Sequence, residues 1–250
     1  MKYPKIFSSF FRMNIVSEME FRSNFIIRII IYFLSLGVQL LMIETYFRFT
    51  ASIGGWSRAE AFVLSGMFRL VEGVFQIFLH TNLMSLSDII RTGELDMYLT
   101  KPVNSLFLLS VSRQQWYELS TFIMGVLIVG YFLPQPSVAL WFAIIGLSFL
   151  GLIYLSSLIL MFSTLAFYMN RVSAISSIWE AISKVSRFPL DIFGRAAAPL
   201  LLIVTVPSRI ILGKTGVFDV IIQILGSVII FISAYFFWQH SLKRYSSASS

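Results

Sequence analysis

Apolar residues run along this chain in stretches of about twenty, the length of a membrane-spanning helix, rather than in the period-two alternation of half-buried strands. The clearest stretch runs from Leu119 to Asn170, where 52 residues include no Asp, Glu, Lys or Arg. That is too long for one span. Pro134-Gln135-Pro136-Ser137 divides it, because proline ends helices and favours turns. The division predicts spans at about 116–133 and 138–168. The charge-free run Val220–Leu242 predicts another, at about 217–240. A further span covers about 25–46, with Arg28 near one end, where its head group can snorkel to the interface.

Two regions are less uniform. Residues 58–80 form an apolar helix interrupted by Arg69 and Glu72. Residues 173–211 mix apolar runs with Glu180, Lys184, Arg187, Asp191 and Arg195, and Pro189, Gly194 and Pro199 break them. No single straight helix accommodates that pattern. It predicts a span at about 172–187 followed by a re-entrant or outer segment at about 188–213, since broken helices at membrane depth need protein or a water-filled cavity around them. The expectation is an all-α integral membrane protein with six transmembrane helices in a single domain, residues 1–250.

The first twenty-two residues follow a different pattern. Ile6, Phe7, Phe10 and Phe11 share one helical face, and Lys2, Lys5, Ser9 and Arg12 share another. This predicts an N-terminal interfacial helix on the cytoplasmic leaflet. A helical extension of the first span with one wet face would give a similar pattern. Six spans put both termini on one side. With the termini inside, ten Lys and Arg fall inside and seven outside, a weak bias for cytoplasmic termini.

Composition sharpens the class. Hydrophobic residues make up 57% and charged residues 12%, against about 45–50% and about 25% in soluble domains. These values exclude a soluble enzyme, a disordered chain and a nucleic-acid-binding domain. The net charge of +7 therefore points to loops beside anionic membrane lipid, not to nucleic acid. There is no cysteine, which removes thiolate metal sites and disulfides.

Catalytic and nucleotide-binding motifs are weak. Gly213-Lys214-Thr215 ends like a phosphate-binding loop, but the glycine needed five positions before Gly213 is Ser208, and no strand precedes it. The two histidines, His80 and His240, lack partners at metal-ligand spacing. No Gly-x-Ser-x-Gly elbow occurs. The reading is that no cofactor or metal binds this chain. The informative charges are those in the membrane. Arg69 and Glu72, at i and i+3, share a helix face and can pair. They would serve a transport pathway or fix helix packing. Glu180 and Lys184 form a similar i, i+4 pair, at the interface or in the pathway.

Between the second and third spans lies a long connection, residues 82–115. In it Ile89, Ile90, Leu95, Met97 and Leu99 interleave with Asp88, Arg91, Glu94, Asp96 and Lys101. Gly93 interrupts this amphipathic segment and Pro102 ends it. Such a segment lies on a membrane or docks in a groove of a soluble partner. Near-neutral charge argues against pure attraction to lipid.

Ile90-Arg91-Thr92-Gly93-Glu94-Leu95-Asp96, followed by Lys101-Pro102-Val103-Asn104, resembles the cytoplasmic signature of a bacterial permease family of the ABC-2 exporter type. Gly55-Trp56-Ser57, Arg187-Phe188-Pro189-Leu190, Pro207-x-Arg209 with Leu212-Gly213-Lys214, and the tail from Arg244 to Ser249 are similar to that family in the same order. The resemblance implies a permease subunit in a bacterial cell membrane. ATP and Mg would be bound by a separate cytoplasmic ATPase, and a second permease, identical or related, would complete a dimer. Asp88, Ile89, Ile90, Arg91, Gly93, Glu94, Leu95 and Asp96 would couple the ATPase to the spans. Family likeness does not fix a ligand, although a Phe-rich bundle with few fixed charges would suit lipid-like or amphipathic cargo. The alternative is an autonomous ion-coupled carrier or membrane enzyme, in which Arg69 and Glu72 would be essential.

Overall fold

The computed structural model describes residues 2–134, 136–168, 174–191 and 198–245. All regular structure among them is helical, apart from an isolated bridge between Ile53 and Trp56. Helix α1, Lys2–Glu20, is separated from α2, Arg22–Phe49, by Phe21, whose backbone (φ −110°, ψ 56°) leaves the helical region. The connection to α3, Arg58–Phe75, is a tight turn in which Gly54 and Gly55 take φ of 59° and 80°. Those left-handed conformations favour glycine. At the start of α3, the Glu60 carboxylate accepts the Ser57 N–H at 2.7 Å, half of a capping box.

Helix α3 does not stop at Phe75. It continues through a π-helical stretch, Gln76–His80, into α4, Thr81–Met84, and α5, Leu86–Arg91. Gly93, at φ 78°, turns the chain into α6, Leu95–Leu99. Helix α7, Ser105–Ser112, follows, capped by Asn104, whose side chain accepts the Phe107 N–H. A 3₁₀ turn, Trp116–Glu118, leads into α8, Leu119–Phe132. The long α9, Val138–Thr164, is capped by the Ser137 hydroxyl. The remaining helices are α10, Ala174–Val185; α11, Thr205–Ile211; and α12, Val217–Leu242.

Among the described residues, four helical stretches are long and apolar enough to cross a membrane: Arg22–Phe49, Arg58–Arg91, Val138–Phe167 and Val217–Leu242. Trp116–Phe132 is a shorter apolar helix. The span expected at about 172–187 corresponds to α10, which has 12 described residues and so extends about 18 Å. Residues 172 and 173, where that span was expected to begin, lie outside the described residues. So do Gly194 and Arg195.

The stretch beginning with α3 is the centre of the bundle. Its most apolar window is 83% buried, whereas those of α2 and α12 are 17% buried and present apolar side chains outward. Burial of this kind follows from small residues. A Cβ on Gly125 of α8 would lie 2.8 Å from the Leu70 nitrogen and 2.9 Å from the Gly66 carbonyl. The two backbones therefore touch where glycines face each other, the usual device for close helix packing in lipid. Along α9, Gly151 similarly admits the Ile203 carbonyl.

That carbonyl belongs to the segment 198–204, which leads into α11 and is folded into the bundle. Ile203, Val204 and Thr205 are buried. Gln223 of α12 donates to the Leu202 carbonyl at 3.0 Å, satisfying backbone that no helix satisfies. At the end of the bundle where α3 begins, Trp56 donates to Asp191 at 2.8 Å, and Asp191 also pairs with Arg209. Lys214 meets Glu60 at 2.6 Å and the Gly55 carbonyl at 2.8 Å.

Candidate functional site

Arg69 and Glu72 lie one turn apart on the buried face of α3, and their side chains pair at 3.0 Å. Both are 3% exposed. Leaving either ion unpaired at this depth would cost several kcal/mol, so the remaining hydrogen-bonding capacity has to be met by neighbours. Arg69 also donates to the Gln39 side-chain oxygen from α2, and Gln39 donates in turn to Ser65 at 2.7 Å. The second oxygen of Glu72 accepts Arg187 at 3.1 Å. One carboxylate is thus shared by two guanidiniums from distant parts of the chain. Nearby, Glu118 is buried at the start of the apolar helix Trp116–Phe132 and accepts the Thr121 hydroxyl at 2.9 Å. Tyr32 of α2 lies beside it.

Glu180 and Lys184 pair at 3.3 Å along α10, but both side chains are mostly exposed. An exposed i, i+4 pair contributes only about 0.3–0.5 kcal/mol. The structure therefore brings Arg69 and Glu72 into one buried cluster and leaves Glu180 and Lys184 outside it.

The connection 82–115 folds into short helices with two different faces. Leu86, Ile89 and Leu95 are buried together with Leu109 and with Trp238 near the end of α12. Ile90, Tyr98 and Phe167 pack around this cluster. Asp88 and Arg91 point outward, pairing only loosely with each other at 3.5 Å. Glu94 lies 3.9 Å from Arg113, and both are about half exposed. Asp96 lies beside Tyr245, and burial together with this carboxylate pushes the Tyr245 phenol up from its ordinary value. Asn82 secures the base of the unit. It donates to the Phe78 and Arg113 carbonyls at 2.9 Å each and accepts the Ser112 hydroxyl at 2.8 Å. The amphipathic segment is therefore a folded knob, apolar toward α9 and α12 and charged toward solvent.

A family model described as ABC-2 family transporter protein matches residues 33–249 of the chain. The chain belongs to this family. Neither a curated protein nor a solved structure matches it. The ABC-2 family comprises membrane permeases of ABC transporters, which are transport subunits and generally work with an ATPase subunit. Together with its long apolar helices, membership makes this a multi-pass membrane protein.

Several residues that matter in this ABC-2 permease were not evident from sequence. Gln39 reads as an isolated amide in an apolar run, and only the fold places it on Arg69. Arg187 reads as one of several charges in the mixed region 173–211; in the fold it reaches the buried Glu72, because α10 ends at Val185 beside α3. Glu118 stands at a span boundary in the sequence, yet it is fully buried. A buried charge reveals itself in sequence only when an apolar run surrounds it on both sides, as it does for Arg69 and Glu72.

Proposed function

We infer that this permease is the transmembrane subunit of an ATP-driven exporter, moved by a separate cytoplasmic ATPase that docks on the knob formed by α5 and α6. One observation carries this reading: the knob presents Asp88, Arg91 and Glu94 to solvent while its opposite face is wedged against Trp238. A surface that is charged outside and anchored inside transmits displacement to the spans. Phosphate chemistry, ATP and Mg belong to the partner chain. In this reading α8 and α10 complete six spans, and the N- and C-terminal ends face the cytoplasm of a bacterial cell. Residues 188–213 form an outer re-entrant segment, and a second permease, identical or related, completes the translocation path. The coupling residues are Asp88, Ile89, Ile90, Arg91, Gly93, Glu94, Leu95 and Asp96. The whole chain acts as one transmembrane domain.

Affinity purification of the tagged chain in mild detergent, followed by mass spectrometry, tests the proposal. The expected result is a stoichiometric ABC ATPase that is lost when Glu94 and Asp96 are replaced by Lys. A chain that purifies alone and transports without ATP would sink it. The buried Arg69–Glu72–Arg187 cluster would then become the working centre of an autonomous carrier, the reading that its burial favours.

A further inference from the structure

A cavity of about 380 Å³ opens between the C-terminal half of α2, the start of α3 and residues 184–189. Its volume falls within the range of about 300–1,000 Å³ typical of sites for small organic ligands. Two kinds of side chain line it. Ile43, Phe47 and Phe188 provide an apolar wall, and Tyr46, also lining the cavity, packs edge-on against Phe188 with ring centroids 6.3 Å apart. Lys184 and Arg187 provide two cations, and no carboxylate is among the described residues that line the cavity.

The surrounding acids are already engaged. Glu44 holds Arg58 at 2.7 Å, Glu60 holds Lys214, and Asp191 holds Arg209. Glu72 divides its charge between Arg69 and Arg187, and the Arg187 Nε is buried with no partner among the described residues. Glu118 is near Arg69 but does not line the cavity. Lys184 pairs with Glu180 at an exposed position, where water screens the pair. Cationic groups on a largely apolar wall, beside the outward apolar face of α2, match a ligand with a hydrocarbon body and an anionic head.

We propose that this cavity binds an anionic amphiphile, a long acyl chain ending in a carboxylate or phosphate, with the chain along α2 and the head group at Lys184 and Arg187. The inference deepens the exporter reading by naming a substrate class. It is tested without the ATPase, so the two can fail separately. The purified chain in neutral detergent is labelled with a diazirine-bearing palmitate, and the labelled peptides are identified by mass spectrometry. Labelling is expected in segments 43–61 and 184–189. Unlabelled palmitate should suppress it at least tenfold better than hexadecanol. Lys184→Glu, on an exposed side chain, should reduce it at least threefold. Ala61→Phe, which fills the cavity, should abolish it, with size-exclusion elution confirming the fold. Competition by dioleoylphosphatidylglycerol would identify the occupant as a membrane phospholipid, and competition by single-chain acids alone would identify a free amphiphile. Both support the class. Labelling spread over the lipid-facing helices, unchanged in Lys184→Glu, or equal competition by hexadecanol, would overturn the proposal.

Discussion

Arg187 reaches Glu72 across 115 positions of sequence, its guanidinium 3.1 Å from the carboxylate. This ion pair ties the segment after α10 to the most buried helix of the bundle. Removing one partner of a buried pair leaves an uncompensated charge and costs about 3–5 kcal/mol. Glu72→Ala should therefore lower the thermal transition in detergent sharply, because it strands two arginines. In a double-mutant cycle, Glu72→Gln and Arg187→Gln should be non-additive by about 0.5–3 kcal/mol. Strict additivity would show that the contact contributes nothing.

The α3–α8 contact predicts a size limit. A side chain at Gly125 would collide with the backbone at Leu70 and Gly66, whereas a Cβ at Gly146 meets nothing within 4 Å. Gly125→Leu should abolish monodisperse elution on size-exclusion chromatography, and Gly146→Leu should leave it intact. Overpacking typically costs about 1–3 kcal/mol, and more where the obstacle is backbone.

The two faces of the knob should separate in mutagenesis. Leu95 is fully buried, and Leu95→Ala should cost about 2–5 kcal/mol of stability. Glu94→Lys, at a half-exposed position, should leave the melting temperature within a degree or two while abolishing recovery of the ATPase. Equal stability loss in both variants would contradict the two-faced description.

Asn82 supplies a third test of the same unit. It is 1% exposed and bonds to α7 and to the chain just after it through both its amide groups. Asn82→Leu keeps the volume but leaves the Arg113 carbonyl and the Ser112 hydroxyl without this partner. A loss of about 1–3 kcal/mol is expected for each buried polar group left unsatisfied. Limited proteolysis should then cut within 100–115.

Glu18 predicts a pH dependence. Its carboxylate accepts the Trp116 N–H at 2.7 Å, yet burial raises its pKa above the ordinary carboxylate value. The folded state therefore holds the proton more tightly than the unfolded state. The associated stability is present below the ordinary pKa and is lost as pH rises through the raised one. Glu18→Gln should be relatively more stable than the parent at pH 7.5 than at pH 4. A constant difference would place the carboxylate in water.

The helical class and the spans at 138–168 and 217–240 were legible because lipid demands long charge-free runs, and 119–170 and 220–242 have no other reading; those at 25–46 and 58–80 were legible as apolar runs despite Arg28, Arg69 and Glu72. The short helices of 82–115 were legible only as an amphipathic pattern. Their order depends on Trp238, more than 120 positions away, and no local signal shows that. The pairing of Arg69 with Glu72 followed from helical spacing. The contributions of Gln39 and Arg187 did not, because periodicity describes one helix at a time. Segment 198–204 remained ambiguous for a related reason: its irregular backbone is tolerable only because Gln223 on another helix satisfies it.

The π-helical stretch Gln76–His80 holds one residue more than an α turn would within the longest helical stretch among the described residues. Each residue of an α-helix advances the surface by about 100°. A single-residue deletion within 76–80 that restored α-helical winding would therefore leave the two ends nearly in phase, with Leu86 and Ile89 still facing Trp238. The same deletion within 58–75, where no wide turn absorbs it, would rotate one end against the other by about a third of a turn. The widened turn thus acts as slack between the bundle and the knob, and deletion scanning should find tolerance at 76–80 and sharp intolerance in the regular helix before it.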